Sequence, residues 1–420
     1  MSAGRSGRGE RVAITGIGIV SSLGNELDEV ASALRDGRSG IEARPDWQER
    51  GLSSWVAGRL DVEGRVARSG LGRRRLEKMG EVSALAALAA EDAIAQAGLD
   101  AERRASSRFG CLVGSGVGSM PTIHEGALLI DAGRARRIRP HSLLQSMSSA
   151  VSAHLTHVFG IGGRSYSLSA ACSTSSHSIG HAFELIRCGA LDGAIAGGAE
   201  EINIMVAAAF NAMRAALTTR WNDSPARASR PFDAERDGFV IGGGAGVLVL
   251  EAYERARERT APVLGEVLGY GATSEPYDLI LPEPEGRNAS VCMRAALEDA
   301  GVDPGAVDYL NAHATGTPTG DVAEVRAALD VFGDRCPPIA APKSIAGHGL
   351  GAAGAQEAIY SLLMMRDGFL AGSRNVDRLD PAIGEALVLT ETLARPSRVH
   401  LVNSFGFGGT NASLVLGAGD

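Results

Sequence analysis

An α/β fold built from two similar halves is predicted by three features of this 420-residue chain. Apolar, strand-like runs alternate with helically spaced segments along its whole length, which implies mainly parallel sheets covered by helices. Two Gly- and Phe-rich stretches, Ser229–Glu251 and Ser404–Gly417, each lead into a strongly apolar strand and close one half as a hairpin, the mark of an internal duplication. Glycine is abundant at 55 residues while aromatics are only 5%, so backbone must pack close to backbone. The organisation expected is a loose Gly/Ser/Arg tail over 1–10, a first half over 11–257 and a second over 258–420.

Composition narrows the function. Hydrophobic residues at 45% and charged residues at 21% are ordinary globular usage. A net charge of -8 argues against a nucleic-acid binder, which would carry a basic excess. Cys111, Cys172, Cys188, Cys292 and Cys336 are scattered, with no C-x-x-C pair, so neither a disulfide framework nor a zinc knuckle is implied. That usage suits a reducing cytoplasm. The first ten residues lack the apolar run of a signal peptide, and no stretch has the length of a membrane span. Lysine occurs only at Lys78 and Lys343.

The elements follow in order. Arg11–Ser21 reads as a buried strand; its Gly16-x-Gly18 lacks the third glycine of a dinucleotide turn, and Gly114-x-Gly116, after the strand Gly110–Val113, is weaker still. Glu81–Gly98 is an Ala-rich helix with Leu85, Leu88 and Ile94 on one face. Arg73–Arg75 and the cluster Arg134, Arg136, Arg137, Arg139 are either solvated faces or a landing site for an acidic partner. Tyr166–His181 runs from a strand of small residues through Cys172 into a helix, Ser173–Cys188, whose apolar stripe is Ile179, Ala182, Phe183 and Ile186. A strand at Leu191–Gly197 follows. In the second half His313 ends one strand before the helix Val322–Phe332. His348 lies in the Gly-rich turn after the strand Pro338–Ala341. Ends of parallel strands are where such sheets place chemistry.

Cys172 is the organising residue. At a helix N-terminus, free N–H groups and the positive dipole end favour a thiolate and can hold an oxyanion. Alternatively it is a small buried apolar residue, as most unpaired cysteines are. Two imidazoles in Gly/Thr-rich turns would complete an acyl-transfer set, although either alone could be structural. His154 with His157, and His177 with His181, have helical spacings without a Glu-bearing H-E-x-x-H frame, so no metal site is expected.

Four motifs taken together resemble one family: Ala171-Cys172-Ser173-Thr174-Ser175, His313-x-Thr315-Gly316-Thr317, Lys343-Ser344 with Gly347-His348, and the run Asn403–Asn411. They are similar to those of the β-ketoacyl-acyl-carrier-protein synthases, in order from Arg11 to Leu416, and Ser229–Gly244, Gly269–Ser274 and Gln356–Leu363 look most like the bacterial class I elongating enzymes. The resemblance implies a thiolase fold of five layers, α-β-α-β-α, with the site between two duplicated halves. It implies decarboxylative condensation of an acyl group on Cys172 with malonyl carrier protein, extending a fatty-acyl or polyketide chain. It implies no cofactor of its own, only the 4'-phosphopantetheine arm of an acyl carrier protein. By the same resemblance Cys172 is the nucleophile, His313 and His348 stabilise the enolate, and Lys343 holds the electrostatics of the second histidine beside Glu357. Asp321 is a structural support, Thr315 and Thr317 bind pantetheine, and the N–H groups of Cys172 and Phe407 form an oxyanion hole, with Phe407 gating the acyl pocket. Arg73, Arg74, Arg136 and Arg137 become docking residues for the acidic carrier. Ala314 and Val117 stand where family members often have glycine; Val117, beside the acyl pocket, would then shorten or bend it. A homodimer through the first half is expected, with two rivals kept: a chain-length subunit of a type II polyketide synthase working as a heterodimer, and a thiolase acting on coenzyme A thioesters. The second cysteine that a thiolase needs has no suitable turn.

Overall fold

Residue alternation along the strands sorts the core into layers. The computed structural model describes residues 9–213, 216–384 and 386–419, so most of the expected tail lies outside the described residues. The first half contributes β1 (Val12–Val20), β2 (Phe109–Gly114), β3 (Gly193–Glu200) and β4 (Gly244–Ala252). The second contributes β5 (Gly265–Ser274), β6 (Tyr309–Asn311), β7 (Ile339–Ala340), β8 (Val399–Gly406) and β9 (Thr410–Ala418). They form one nine-stranded sheet in the order β2-β3-β4-β1-β5-β9-β8-β6-β7.

The two halves repeat one topology. β2 pairs parallel with β3, and β4 returns antiparallel between β3 and β1. In the same way β7, β6 and β8 are parallel, and β9 returns antiparallel between β8 and β5. The lone parallel bridge Cys111↔Ser165 occupies the place that β7 fills in the second half. Each half is thus mainly parallel with one reversed strand. The closing hairpins differ from expectation: β8 and β9 are joined by a tight turn at 407–409, whereas β3 and β4 are separated by the long excursion 201–243. Sequence made the two look alike because both final strands follow glycine runs.

Five helices complete the layers: α1 (Glu81–Ala97), α2 (Thr174–Arg187), α3 (Arg287–Ala300), α4 (Gly320–Phe332) and α5 (Ala353–Asp367). On β4, Leu248 and Leu250 face a cluster with Ile179, Phe183 and Ile186 of α2 and Ile359 and Leu363 of α5, while Val247 and Val249 face α1. On β9, Leu414 and Leu416 join that same central cluster and Val415 faces α3 and α4. Alternate residues of a strand point to opposite faces, so these assignments define helix, sheet, helix pair, sheet, helix. Each large aliphatic side chain of α2 buried there contributes about 1.5–3 kcal/mol. Gly16 and Gly18 lie within β1, where a Cβ would stand 2.0 Å from the carbonyl oxygens of Ala93 and Ala89. They let α1 ride directly on the strand, which accounts for the Gly-x-Gly without a nucleotide.

Candidate active site

Cys172 sits in a single 3-10 turn, Ala171–Ser173, immediately before α2. Ala171 has φ +48°, a left-handed conformation that costs a residue bearing a Cβ about 1 kcal/mol or more. Hydrogen bonds from both halves hold the turn in place. Thr174 Oγ1 accepts from Ala170 N at 2.9 Å, and Thr410 Oγ1, from the second half, reaches the Ala170 carbonyl at 3.0 Å and Ser173 Oγ at 2.8 Å. The strained joint turns the sulfur toward a cavity of about 260 Å³ whose walls include Cys172, His313, His348, Thr315, Thr317 and Phe407.

His313 is carried on the end of β6. Glu324 of α4, buried among apolar neighbours, accepts the His313 N–H at 2.8 Å, the Ala314 N–H at 2.7 Å and the Asn403 amide at 2.9 Å. Asp321 fastens the same turn, accepting from Gly316 N at 3.0 Å and Phe232 N at 2.8 Å, with Arg236 at 3.4 Å. Thr315 and Thr317 present their hydroxyls 3.3 Å apart. His348 is held through its backbone, which donates to the Val240 carbonyl and accepts from Gly242 N, both at 2.7 Å. The excursion 201–243 therefore positions a histidine of the other half.

The imidazoles of His313 and His348 meet edge to face, with centroids 5.2 Å apart and planes at 85°. Among the described residues, Nδ1 of His313 and both ring nitrogens of His348 have no hydrogen-bond partner. Burial first, and the Lys343 ammonium second, hold both rings well below the ordinary histidine range, so both are neutral. Lys343 is itself buried in an ion pair with Glu357, whose carboxyl is pushed up by desolvation against the pull of Lys343.

The thiol departs from expectation. Burial pushes Cys172 up to about 12, opposed by Lys343 and by the backbone N–H groups of Phe407 and Cys172, and reinforced by the charge of Glu200. Desolvating the anion thus outweighs the Lys343 charge and the two N–H groups, which favours the thiol over the expected thiolate. Those two N–H groups nevertheless converge on the sulfur. Phe407 stands in the β8–β9 turn, followed by Gly408 and Gly409 at φ +80° and +72°.

Other expected residues fall elsewhere. Val117 is 43% exposed in the loop 115–119 and is not part of the cavity wall; Phe210, Met213, Ala216 and Phe239, from the excursion, line it instead. In that loop the N–H groups of Gly116 and Val117 donate to Glu200, at 2.8 and 3.3 Å. Arg73, Arg74, Arg136 and Arg137 are all exposed, but Arg73 is paired with Glu63. Of the histidines weighed for metal, His177 bonds Tyr270 and His181 bonds Tyr166. Glu324, Glu200 and Arg236 were not anticipated. Glu324 carries one sequence signal, a charged residue set inside an apolar run, as in Val322-Ala-Glu324-Val325, whereas Arg236, between Glu235 and Asp237, carries none.

Two family descriptions match the chain: "Beta-ketoacyl synthase, N-terminal domain" over residues 9–256 and "Beta-ketoacyl synthase, C-terminal domain" over 264–377. The chain belongs to the β-ketoacyl synthase family. It is 46% identical over 414 residues to 3-oxoacyl-[acyl-carrier-protein] synthase 1 of Escherichia coli K12, covering 97% of this chain and 98% of the relative. The Haemophilus influenzae enzyme of that name is 44% identical over 411 residues, with the same coverage. A crystal structure of a β-ketoacyl synthase from Burkholderia phymatum superposes with a TM-score of 0.91 at 36% identity, over 98% of this chain and all of that one. The ishigamide ketosynthase/chain length factor gives 0.88 at 30%, with the same coverage. The synthase is an acyltransferase with the five-layered thiolase fold. No helix among its described residues is long and apolar enough to cross a membrane.

Proposed function

We propose that this synthase condenses an acyl group carried on Cys172 with malonyl carrier protein, lengthening a fatty-acyl chain by two carbons. The reading is carried by one observation: the Cys172 sulfur and two neutral imidazoles from the other half share one cavity, with two backbone N–H groups aimed at the sulfur. The Cys172 sulfur attacks the acyl thioester; a C–S bond forms and the pantetheine sulfur leaves with the thiol proton. Malonyl thioester then loses CO2, and the enolate oxygen is held by N–H donation from His313 and His348, a role that needs protonated nitrogens on neutral rings. The freed carbon attacks the Cys172 thioester, the oxyanion lies at the N–H groups of Cys172 and Phe407, and the sulfur departs to regain a proton from solvent.

Thr315 and Thr317 receive the pantetheine arm, and no bound cofactor is required. Phe407 closes the mouth on glycine-flanked backbone. Glu357 steadies Lys343, and Asp321 the threonine turn. Arg74, Arg136 and Arg137, aided by Arg73, dock the acidic carrier. The halves divide at 257/258, the first supplying the nucleophile and a homodimer interface around exposed Leu128, Ile130, Leu143 and Leu144. The setting is cytoplasmic.

Incubating the purified chain with acyl carrier proteins and malonyl carrier protein, with products read by mass, tests the reaction. A Cys172→Ala variant that condenses at the wild-type rate overturns it.

A further inference from the structure

Glu200 ends β3 with 1% of its surface exposed, and the condensation described above makes no use of it. Four donors surround its carboxylate. Ser115 Oγ donates to Oε1 at 2.7 Å and Val117 N to the same oxygen at 3.3 Å, while Gly116 N donates to Oε2 at 2.8 Å and Gly351 N at 3.1 Å. Ser115 Oγ in turn accepts from Gly118 N at 2.8 Å. Three of the four contacts are backbone N–H groups, which can only donate and so favour the anion against burial, which raises the carboxyl above its ordinary range; no cation among the described residues pairs with it. An isolated buried negative charge is expensive to keep.

Its surroundings show what the charge could serve. A Cβ on Gly116 would stand 2.7 Å from Glu200 Oε2 and 3.2 Å from the Ala171 carbonyl oxygen, so carboxylate, loop and nucleophile turn are in direct succession. Gly351 belongs to the turn that begins at His348, and Leu350 within it has φ +51°. A Cβ on Gly351 would stand 2.7 Å from the same Oε2. One side chain thus ties the loop behind Cys172, the end of β3 and the turn after His348.

We propose that Glu200 is a positioning residue of the condensation reaction: a fixed buried anion that locks the Cys172 and His348 turns to one strand end and sets a negative charge against the sulfur. This rests on Cys172 being the nucleophile. The charged and titratable groups facing the sulfur are Lys343, which favours the thiolate, Glu200, which opposes it, and the neutral His313 and His348; Glu357 and Glu324 act on it through Lys343. By opposing ionisation, Glu200 keeps the free enzyme's thiol protected and makes the thiolate, once formed, the stronger nucleophile.

The test uses the full-length protein and the variant Glu200→Gln. Its amide nitrogen can take the Oε1 position with Ser115 rotated to accept, which sacrifices only the longest contact. The readout is the pH dependence of Cys172 alkylation by iodoacetamide, located by peptide mass, alongside condensation of malonyl carrier protein. Loss of the charge should move the alkylation midpoint down by about one pH unit, which, offset by the weaker nucleophilicity of the less basic thiolate, makes labelling roughly three- to fourfold faster at a pH below both midpoints. Ser115→Ala keeps the charge and loosens the loop, so it should slow condensation severalfold with the midpoint unmoved.

An unchanged midpoint in Glu200→Gln overturns the electrostatic role. Full condensation activity in Ser115→Ala overturns the positioning role, and decides the matter alone if Glu200→Gln fails to fold. Neither result touches the assignment of Cys172, which fails separately if its complete alkylation leaves condensation intact.

Discussion

Removing the Glu324 carboxylate should both destabilise the protein and misplace His313. In Glu324→Ala, the N–H groups of His313 and Ala314 and the Asn403 amide lose their acceptor together. A buried donor left unsatisfied costs about 1–3 kcal/mol. Relief from holding a desolvated carboxylate, whose pKa burial already raises, offsets part of that sum. The expected net loss is about 2–4 kcal/mol. Glu324→Gln can keep its carbonyl at the oxygen shared by His313 and Asn403, turning only the amide against Ala314, so it should lose about 1–2 kcal/mol. Urea unfolding followed by tryptophan fluorescence measures both. Condensation should fall further than stability, because a shift of about 1 Å in a catalytic group can slow a reaction about 100-fold. An alanine variant within about 0.5 kcal/mol of wild type, with normal turnover, would refute this account of how the β6 turn is held.

Other expectations follow from particular contacts. Alkylation of Cys172 should keep rising about tenfold per pH unit from pH 7 past pH 9, since its thiol is pushed up to about 12; a plateau near 9 would show an unburied thiol. Burial lowers His400 to about 3, so its contribution to stability is complete above about pH 6.5 and is lost as pH falls toward 3. Going from pH 7 to pH 5 should remove about 2 kcal/mol through this residue, and His400→Phe should flatten that part of the urea-midpoint profile. Gly354→Ala should destabilise by about 1–3 kcal/mol despite better helix propensity, because its Cβ would lie 1.9 Å from Ser176 Oγ across the central helices; a neutral result would mean α2 and α5 can separate cheaply. Replacing Arg74, Arg136 and Arg137 by Glu should slow association with an acidic carrier and weaken its salt dependence, measured by stopped flow, while turnover at saturation stays near wild type.

The reactive residues were legible because they stand in short turns of Gly, Ala, Ser or Thr, where side chains with little packing role are conspicuous. Cys172, His313, His348, Thr315, Thr317 and Phe407 meet at one cavity for that reason. Lys343, Glu357 and Asp321 came from the family resemblance, but two other supporting groups were not legible. Glu324 sits mid-helix and Glu200 ends a strand of small residues, and only three-dimensional burial separates such acids from solvated ones. The thiol's protonation state depends on a balance of desolvation against nearby charge, which local sequence near Cys172 does not contain. Val117 illustrates a further limit: its loop is fastened through backbone N–H groups to Glu200, far away in the chain. Strand order, by contrast, was partly hidden, because the third strand of the first half is reduced to a single bridge at Ser165.

The pairing of Val12, Ala13 and Ile14 with Val267, Glu266 and Gly265 stitches β1 to β5 along the middle of the molecule. Lobes welded by backbone in this way cannot swing apart like jaws to admit a long substrate. Small pieces at the rim, such as the turn at 407–409, are then expected to give access while the seam stays shut. Amide exchange should therefore be slow at Val12–Ile14 with or without acyl substrate, and any change on loading should concentrate in the rim.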